Sequence, residues 1–119
     1  MKENKLVELS KAFAVDVIKL CERLQKSSNL FPLINQLLKS GTSIGANIHE
    51  ANYAASRADF INKLQIALKE CYETDYWLGL FKESNMISAD EHSKMYNKCS
   101  KIRTMLISSV NTAKSHLNS

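Results

Sequence analysis

The chain has 119 residues, with 16 Lys and Arg against 12 Asp and Glu, a net charge of +4, and only three Gly and one Pro. That length supports one domain, spanning 1–119, with a core that needs no disulfide or structural metal. Apolar residues recur at three and four rather than two, which excludes a sheet and leaves an all-α class, and none of their runs is long enough to cross a bilayer.

The first helix is predicted from Asn4 to Ser27, with Leu6, Leu9, Phe13, Val17, Leu20 and Leu24 at heptad spacing on one narrow face. Ser27, Ser28 and Asn29 interrupt the pattern, and Pro32 suits the first turn of a second helix, where its missing N–H costs nothing. That helix is predicted to reach Ala54. Its buried face is Leu33, Ile34, Leu37, Leu38, Gly41, Ile44, Gly45, Ile48 and Ala51, set out at 100° per residue. Gly41 and Gly45 form a G-x-x-x-G that lets a neighbouring helix approach closely. A second row, Gln36, Ser40, Ser43, Asn47, Glu50 and Ala54, alternates spacings of four and three, as a helix–helix seam does.

Ser56 and Asp59 form a capping box with Asp in place of Glu, opening a third helix over Arg57–Glu83 that Ser84 and Asn85 end. Phe60, Ile61, Leu64, Ala67, Leu68, Cys71 and Leu78 supply its core face. The opposite side carries Ile66, Glu70, Glu73, Trp77, Leu80 and Phe81, an apolar set with two carboxylates among it, which a lone bundle would leave wet. Ser88 and Glu91 are a regular capping box for a fourth helix through Met95, Cys99, Ile102, Leu106, Val110 and Ala113. Four helices joined by short links make an antiparallel up-and-down four-helix bundle.

Cys21, Cys71 and Cys99 are odd in number, far apart and on apolar faces, so they are expected to be free buried thiols, suited to a reducing cytoplasm. The Met1–Ser10 stretch has no apolar run fit for a signal peptide. After Glu91 there is no acidic residue, while Lys94, Lys98, Lys101, Arg103 and Lys114 follow it. The first three of these fall within about 60° of one another on the fourth helix, a compact basic stripe.

With SGTSIGANIHEA at 40–51, SRADFINKLQIALKE at 56–70 and ETDYWL at 73–78, the chain resembles the bacterial four helix bundle protein family, also called 23S rRNA intervening-sequence proteins. The likeness runs from Phe31 and Pro32 through the fourth helix. It implies a small up-and-down bundle, commonly a ring-like homopentamer, often encoded inside insertions in 23S rRNA genes. The family is similar in fold to the accessory variability protein of diversity-generating retroelements, a basic pentamer that works with a reverse transcriptase and nucleic acid.

Reaction chemistry is not legible. No His or Asp is arranged to activate a Cys or Ser, and the mid-helix glycines have their N–H groups already bonded, unlike those of a phosphate loop. Neither His49, His92 nor His116 lies three residues after a Glu, as a di-iron bundle requires, so no metal or cofactor is expected. Glu50, Glu70 and Glu73 with Asn47 and Arg57 are expected to form a polar cluster that sets subunit orientation. The expected function is therefore that of a non-enzymatic homo-oligomer. Ser40, Ser43, Asn47, Glu50, Ile66, Glu70, Glu73 and Trp77 are its interface, and Lys94, Lys98, Lys101, Arg103 and Lys114 bind RNA or a nucleoprotein partner. The alternative is a protein–protein adaptor that binds no nucleic acid.

Overall fold

A computed structural model describes residues 2–117 as four helices, α1 (Lys2–Ser27), α2 (Phe31–Ala51), α3 (Arg57–Glu83) and α4 (Ala89–Leu117). At 1.5 Å per residue each is about 30–45 Å long, so the short links between them cannot return to the same end and successive helices run antiparallel. The molecule measures 51 × 22 × 19 Å. Each helix packs on its chain neighbours and α4 closes back on α1, while the diagonal pairs show no close approach of their backbones.

Local chemistry explains the ends. Pro32 lies in the first turn of α2. Ser56 caps α3 by accepting from the Asp59 N–H at 3.1 Å, and the Asp59 carboxylate accepts from the Ala55 N–H at 3.3 Å. At its far end Asn85 takes φ 63°, the Met86 N–H donates to the Phe81 carbonyl at 2.8 Å and the Asn85 N–H to Lys82 at 3.0 Å. This is a Schellman motif with Asn in the left-handed position usually held by Gly. Two expectations are corrected. α2 stops at Ala51, because Asn52, Tyr53 and Ala54 donate three residues back, to His49, Glu50 and Ala51, and tighten the chain out of the α-helix. The Ser88–Glu91 box is half formed: Ser88 Oγ accepts from the Glu91 N–H at 3.0 Å, but the Glu91 side chain pairs with Arg23 of α1.

The core runs the length of the bundle, from Phe13, Val17 and Leu24 of α1 through Ile34, Leu37 and Ile44 of α2 to Leu64, Leu78, Ile102 and Leu106. All six apolar positions read for α4 are buried. Phe81 is a correction: it is fully buried, because it continues the row Cys71, Thr74, Leu78 at spacings of three and four. The three cysteines are free and buried. Burial pushes the Cys21 thiol up to about 11; hydrogen bonding with Cys71, then burial, raise the Cys99 thiol above the usual range.

The two glycines of the G-x-x-x-G differ. A Cβ on Gly41 would lie 2.8 Å from both γ-carbons of Val17, a buried β-branched side chain with little freedom to move. A Cβ on Gly45 would meet nothing nearer than the Ser10 backbone and hydroxyl at 3.4 Å. Gly41→Ala should therefore lower stability by about 1–2 kcal/mol, overpacking outweighing the gain in helix propensity, and Gly41→Leu should be severely disruptive. Gly45→Ala should be neutral or stabilising by up to about 1 kcal/mol. Urea unfolding of the variants checks the contrast.

Candidate functional site

α4 presents its charge along the seam with α1, the least extensive of the four helix contacts. Two adjoining grooves follow it, sharing Asp16 and Lys98. One of about 360 Å³ is lined by Lys19, Arg23, Glu91, Lys94 and Met95; the other, of about 230 Å³, by Leu9, Phe13, Lys101 and Ile102. The floor is apolar and the rim is mostly cationic. Lys98 Nζ donates to Asp16 at 2.7 Å and Lys94 lies 3.3 Å from Asp90. Both pairs are solvent-exposed, and such pairs contribute only about 0–1 kcal/mol, so a phosphate can replace either carboxylate. Lys101 and Lys114 are exposed and form no ion pair among the described residues.

Arg103 is a different kind of residue from these lysines, which corrects its grouping with them. It lies on the α3 side of α4, where one guanidinium nitrogen donates to Asp75 and the other to Ser100 Oγ at 3.1 Å. The ion pair is nearly enclosed, its side chains 14% and 16% exposed. The guanidinium sits between two rings, 5.4 Å from the centroid of Tyr72 and 5.5 Å from that of Tyr96. His92 stacks on Tyr96 at 5.8 Å. Burial works against the charge on Arg103, but Asp75 and Tyr96 outweigh it and hold the group above its usual value. Burial also dominates at Asp75, raising its carboxyl despite the pairing with Arg103. Asp75 Oδ1 is buried without a hydrogen-bond partner.

The predicted α2/α3 surface divides into an inside and an outside. Ser40 belongs inside: it is fully buried and its Oγ accepts from Thr74 Oγ1 at 3.0 Å, joining α2 to α3 within the chain. The expected polar cluster is also dispersed. Glu50 pairs with Lys63 at 3.0 Å, Asn47 donates to the Ser43 carbonyl of its own helix at 2.9 Å, and Arg57 is exposed at the opening turn of α3. Ile66, Glu70, Glu73 and Trp77 do share a half-buried strip, with Trp77 Nε1 donating to Glu73 Oε2 at 3.2 Å and its ring packed against the core. Desolvation, then the charge of Glu73, raises the Glu70 carboxyl, while Lys69 and Lys39 pull the other way.

Sequence reasoning missed Lys19 and Arg23. They stand four apart on the flank of α1 next to Asp16, and i, i+4 spacing relative to the core row would have found them. It also passed over Tyr72, Tyr76 and Tyr96, because no periodicity links rings on two helices. A third groove, of about 450 Å³ between α1 and α2, is floored by small residues, Ser10, Ala14, Gly45 and Ala46. Among the described residues no three His, Cys, Asp or Glu side chains gather as metal ligands, and no helix is long and apolar enough to cross a membrane.

The model of the 23S rRNA-intervening sequence protein family matches residues 2–108. The chain is also similar to a crystallised protein of unknown function from the S23 ribosomal protein family of Bacteroides thetaiotaomicron VPI-5482. The two are 45% identical over 93% of this chain and 99% of that one, with a TM-score of 0.91. No protein of curated function matches.

Two outcomes follow from these charges. Arg103→Ala, which strands Asp75 in a nearly enclosed site, should cost about 2–3 kcal/mol, whereas Lys101→Ala should stay within about 0.5 kcal/mol; urea titration separates them. A carboxyl with a raised folded pKa destabilises the fold once ionised, and the penalty disappears as pH falls below its unfolded value. Glu70→Gln should therefore give a small rise in melting temperature at pH 7, and the gap from the parent chain should close on acidification through the carboxylate range.

Proposed function

Because this chain belongs to the 23S rRNA-intervening sequence protein family, we propose that it is a non-enzymatic, homopentameric scaffold of the cytoplasm that holds RNA, or an RNA-containing partner, along the α1/α4 seam. The observation that carries this reading is the charge of that seam. Lys19, Arg23, Lys94, Lys98 and Lys101 line its grooves against only Asp16 and Glu91, and α4 has no acidic residue after Glu91. Cations in a row along a helix meet a phosphate backbone additively, each contact releasing a counterion. A ring would repeat the row around its axis and make a belt of it, so a modest charge per subunit becomes a strong field in the assembly.

The number five is taken from the likeness to the family. The half-buried strip Ile66, Glu70, Glu73 and Trp77, with Ser43, Asn47 and Glu50 beside it, is the surface proposed to join subunits, Ser40 being excluded by its burial. Free buried thiols accord with a reducing compartment. The rival reading, an adaptor for a protein partner, is favoured by Val15 and Ile18, which leave 42% and 49% of their surface in water on α1.

Binding to structured ribosomal RNA fragments and to duplex DNA across a salt series, with oligomer mass determined in the same samples, tests the scaffold. Affinity should fall steeply with salt, and Lys98→Ala with Lys101→Ala should reduce the log–log slope by about two. A stable ring that binds neither nucleic acid at low salt overturns the reading in favour of the adaptor.

A further inference from the structure

A ring of identical copies needs two different contact surfaces, because each copy shows one face to the neighbour on its left and another to the neighbour on its right. The strip of Ile66, Glu70, Glu73 and Trp77 supplies one of them and is ill suited to meeting itself. Desolvation, then the charge of Glu73, already raises the Glu70 carboxyl, and a second strip would set two more carboxylates against these. The groove of about 450 Å³ between α1 and α2 has the opposite character. Its floor is of small residues, and among the described residues its lining holds Lys11 and His49 and no carboxylate. Lys11 is exposed and belongs to none of the ion pairs of the described residues. Val7, Lys11, Ala14 and Ile18 follow one another at spacings of four, three and four, and so do Leu38, Thr42, Gly45 and His49, which sets two rows of helix-seam spacing side by side along the groove.

The two faces also match in height. The Ser40–Thr74 hydrogen bond sets α3 against α2, and the close approach of Gly45 to Ser10 sets α1 against α2. Glu70, four residues before Thr74 on an antiparallel helix, is therefore level with Ile44, and hence with Ser10 and Lys11. By the same count Leu38 and Ile18, the latter 49% exposed, are level with the stretch between Glu73 and Trp77. Copies related by rotation about an axis along the bundle meet at equal heights, so carboxylate falls opposite lysine and apolar side chain opposite apolar side chain.

We propose that the α1/α2 groove receives the Ile66, Glu70, Glu73 and Trp77 strip of a second copy, with Lys11 paired across the joint to Glu70 and Glu73, so that α2 faces the ring axis and α4 the outside. This rests on the homo-oligomer of the scaffold reading and adds to it the second half of the joint and the direction each helix faces. The two faces share α2, so on a square bundle they point about 90° apart, and copies joined through them close after about four or five. Faces on opposite sides of the bundle would build an open filament instead. The shared helix then lies toward the axis, where Thr42 and Ala46 are small enough for the copies to come close. α4, diagonally across the bundle, keeps its lysine seam clear of both joints.

Sedimentation velocity and native mass spectrometry of the full chain read the assembly, with circular dichroism checking helix content. Ile18→Ser with Ala46→Trp, both at exposed positions, obstructs the groove; Glu70→Lys with Glu73→Lys reverses the charge of the strip. Each double alone should lose the ring and sediment as a monomer. Mixed in equal amounts at raised concentration, since a single joint lacks the gain of ring closure, they should form a heterodimer and nothing larger, because only one intact groove is left to meet one intact strip. Lys11→Glu should weaken the ring and Glu70→Lys in the same chain should restore it, which keeps the test decisive if either double fails to fold. The proposal is overturned if the groove double keeps the parent mass, if the mixture forms no heterodimer, or if the exchange of Lys11 and Glu70 restores nothing. A parent ring indifferent to the groove variants defeats this joint and leaves the oligomer standing. A parent chain that is monomeric at every concentration defeats both, and a parent that stops at a dimer defeats the ring.

Discussion

Val17 of α1 lies so close to Gly41 of α2 that a single added methyl would strike both its γ-carbons. This approach sets the geometry of the bundle, because the residue before the glycine acts in a second direction. Ser40 accepts a hydrogen bond from Thr74 of α3. Two consecutive residues of α2 thus fix two neighbours, one by having no side chain and the other by a buried hydroxyl pair. A polar pair inside a core is stable only when mutually satisfied, and here Ser40 Oγ donates to the Leu37 carbonyl of its own helix while the single Thr74 hydroxyl proton is shared between Ser40 Oγ and the Glu70 carbonyl. The first three helices, α1, α2 and α3, are therefore drawn together at the level of residues 40 and 41, and the least extensive seam falls between α1 and α4.

Apolar burial seats α4 at that seam, and ion pairs flank it on both sides. Its partners come from other helices: Asp16 to Lys98, Arg23 to Glu91, Asp75 to Arg103. The first two are exposed, and each costs little to exchange for a phosphate. The third is enclosed and orients two tyrosines. One helix consequently carries labile charge on one flank and fixed charge on the other, a division of labour that follows from depth of burial and not from residue type.

The same pair of hydroxyls accounts for what the sequence concealed. Helix class, order and the bounds of α3 were legible because caps and core rows are local: Ser56 opens α3, Asn85 closes it, and all six apolar positions of α4 are buried. Ser40 reads as a polar seam and Thr74 as a gap in an apolar row, since neither shows in isolation that it satisfies the other. With Thr74 counted as core, Phe81 falls into line; without it, Phe81 is assigned to the outside. The basic stripe was readable on α4, but its continuation through Lys19 and Arg23, and the clustering of Tyr72, Tyr96 and Arg103, depend on which helices become neighbours. Periodicity within one helix carries no information about that.

Because every seam except α1/α4 joins helices adjacent along the chain, most contacts form between residues close in sequence, and such topologies fold quickly. During synthesis from the N-terminus, α1, α2 and α3 can dock by successive hairpins before α4 leaves the ribosome. The helix whose length after Glu91 holds no acid then arrives last, onto a surface where Asp16 and Asp75 already wait to neutralise it. Its charge has the least time of any in the chain to attract a stray polyanion before the fold has placed it.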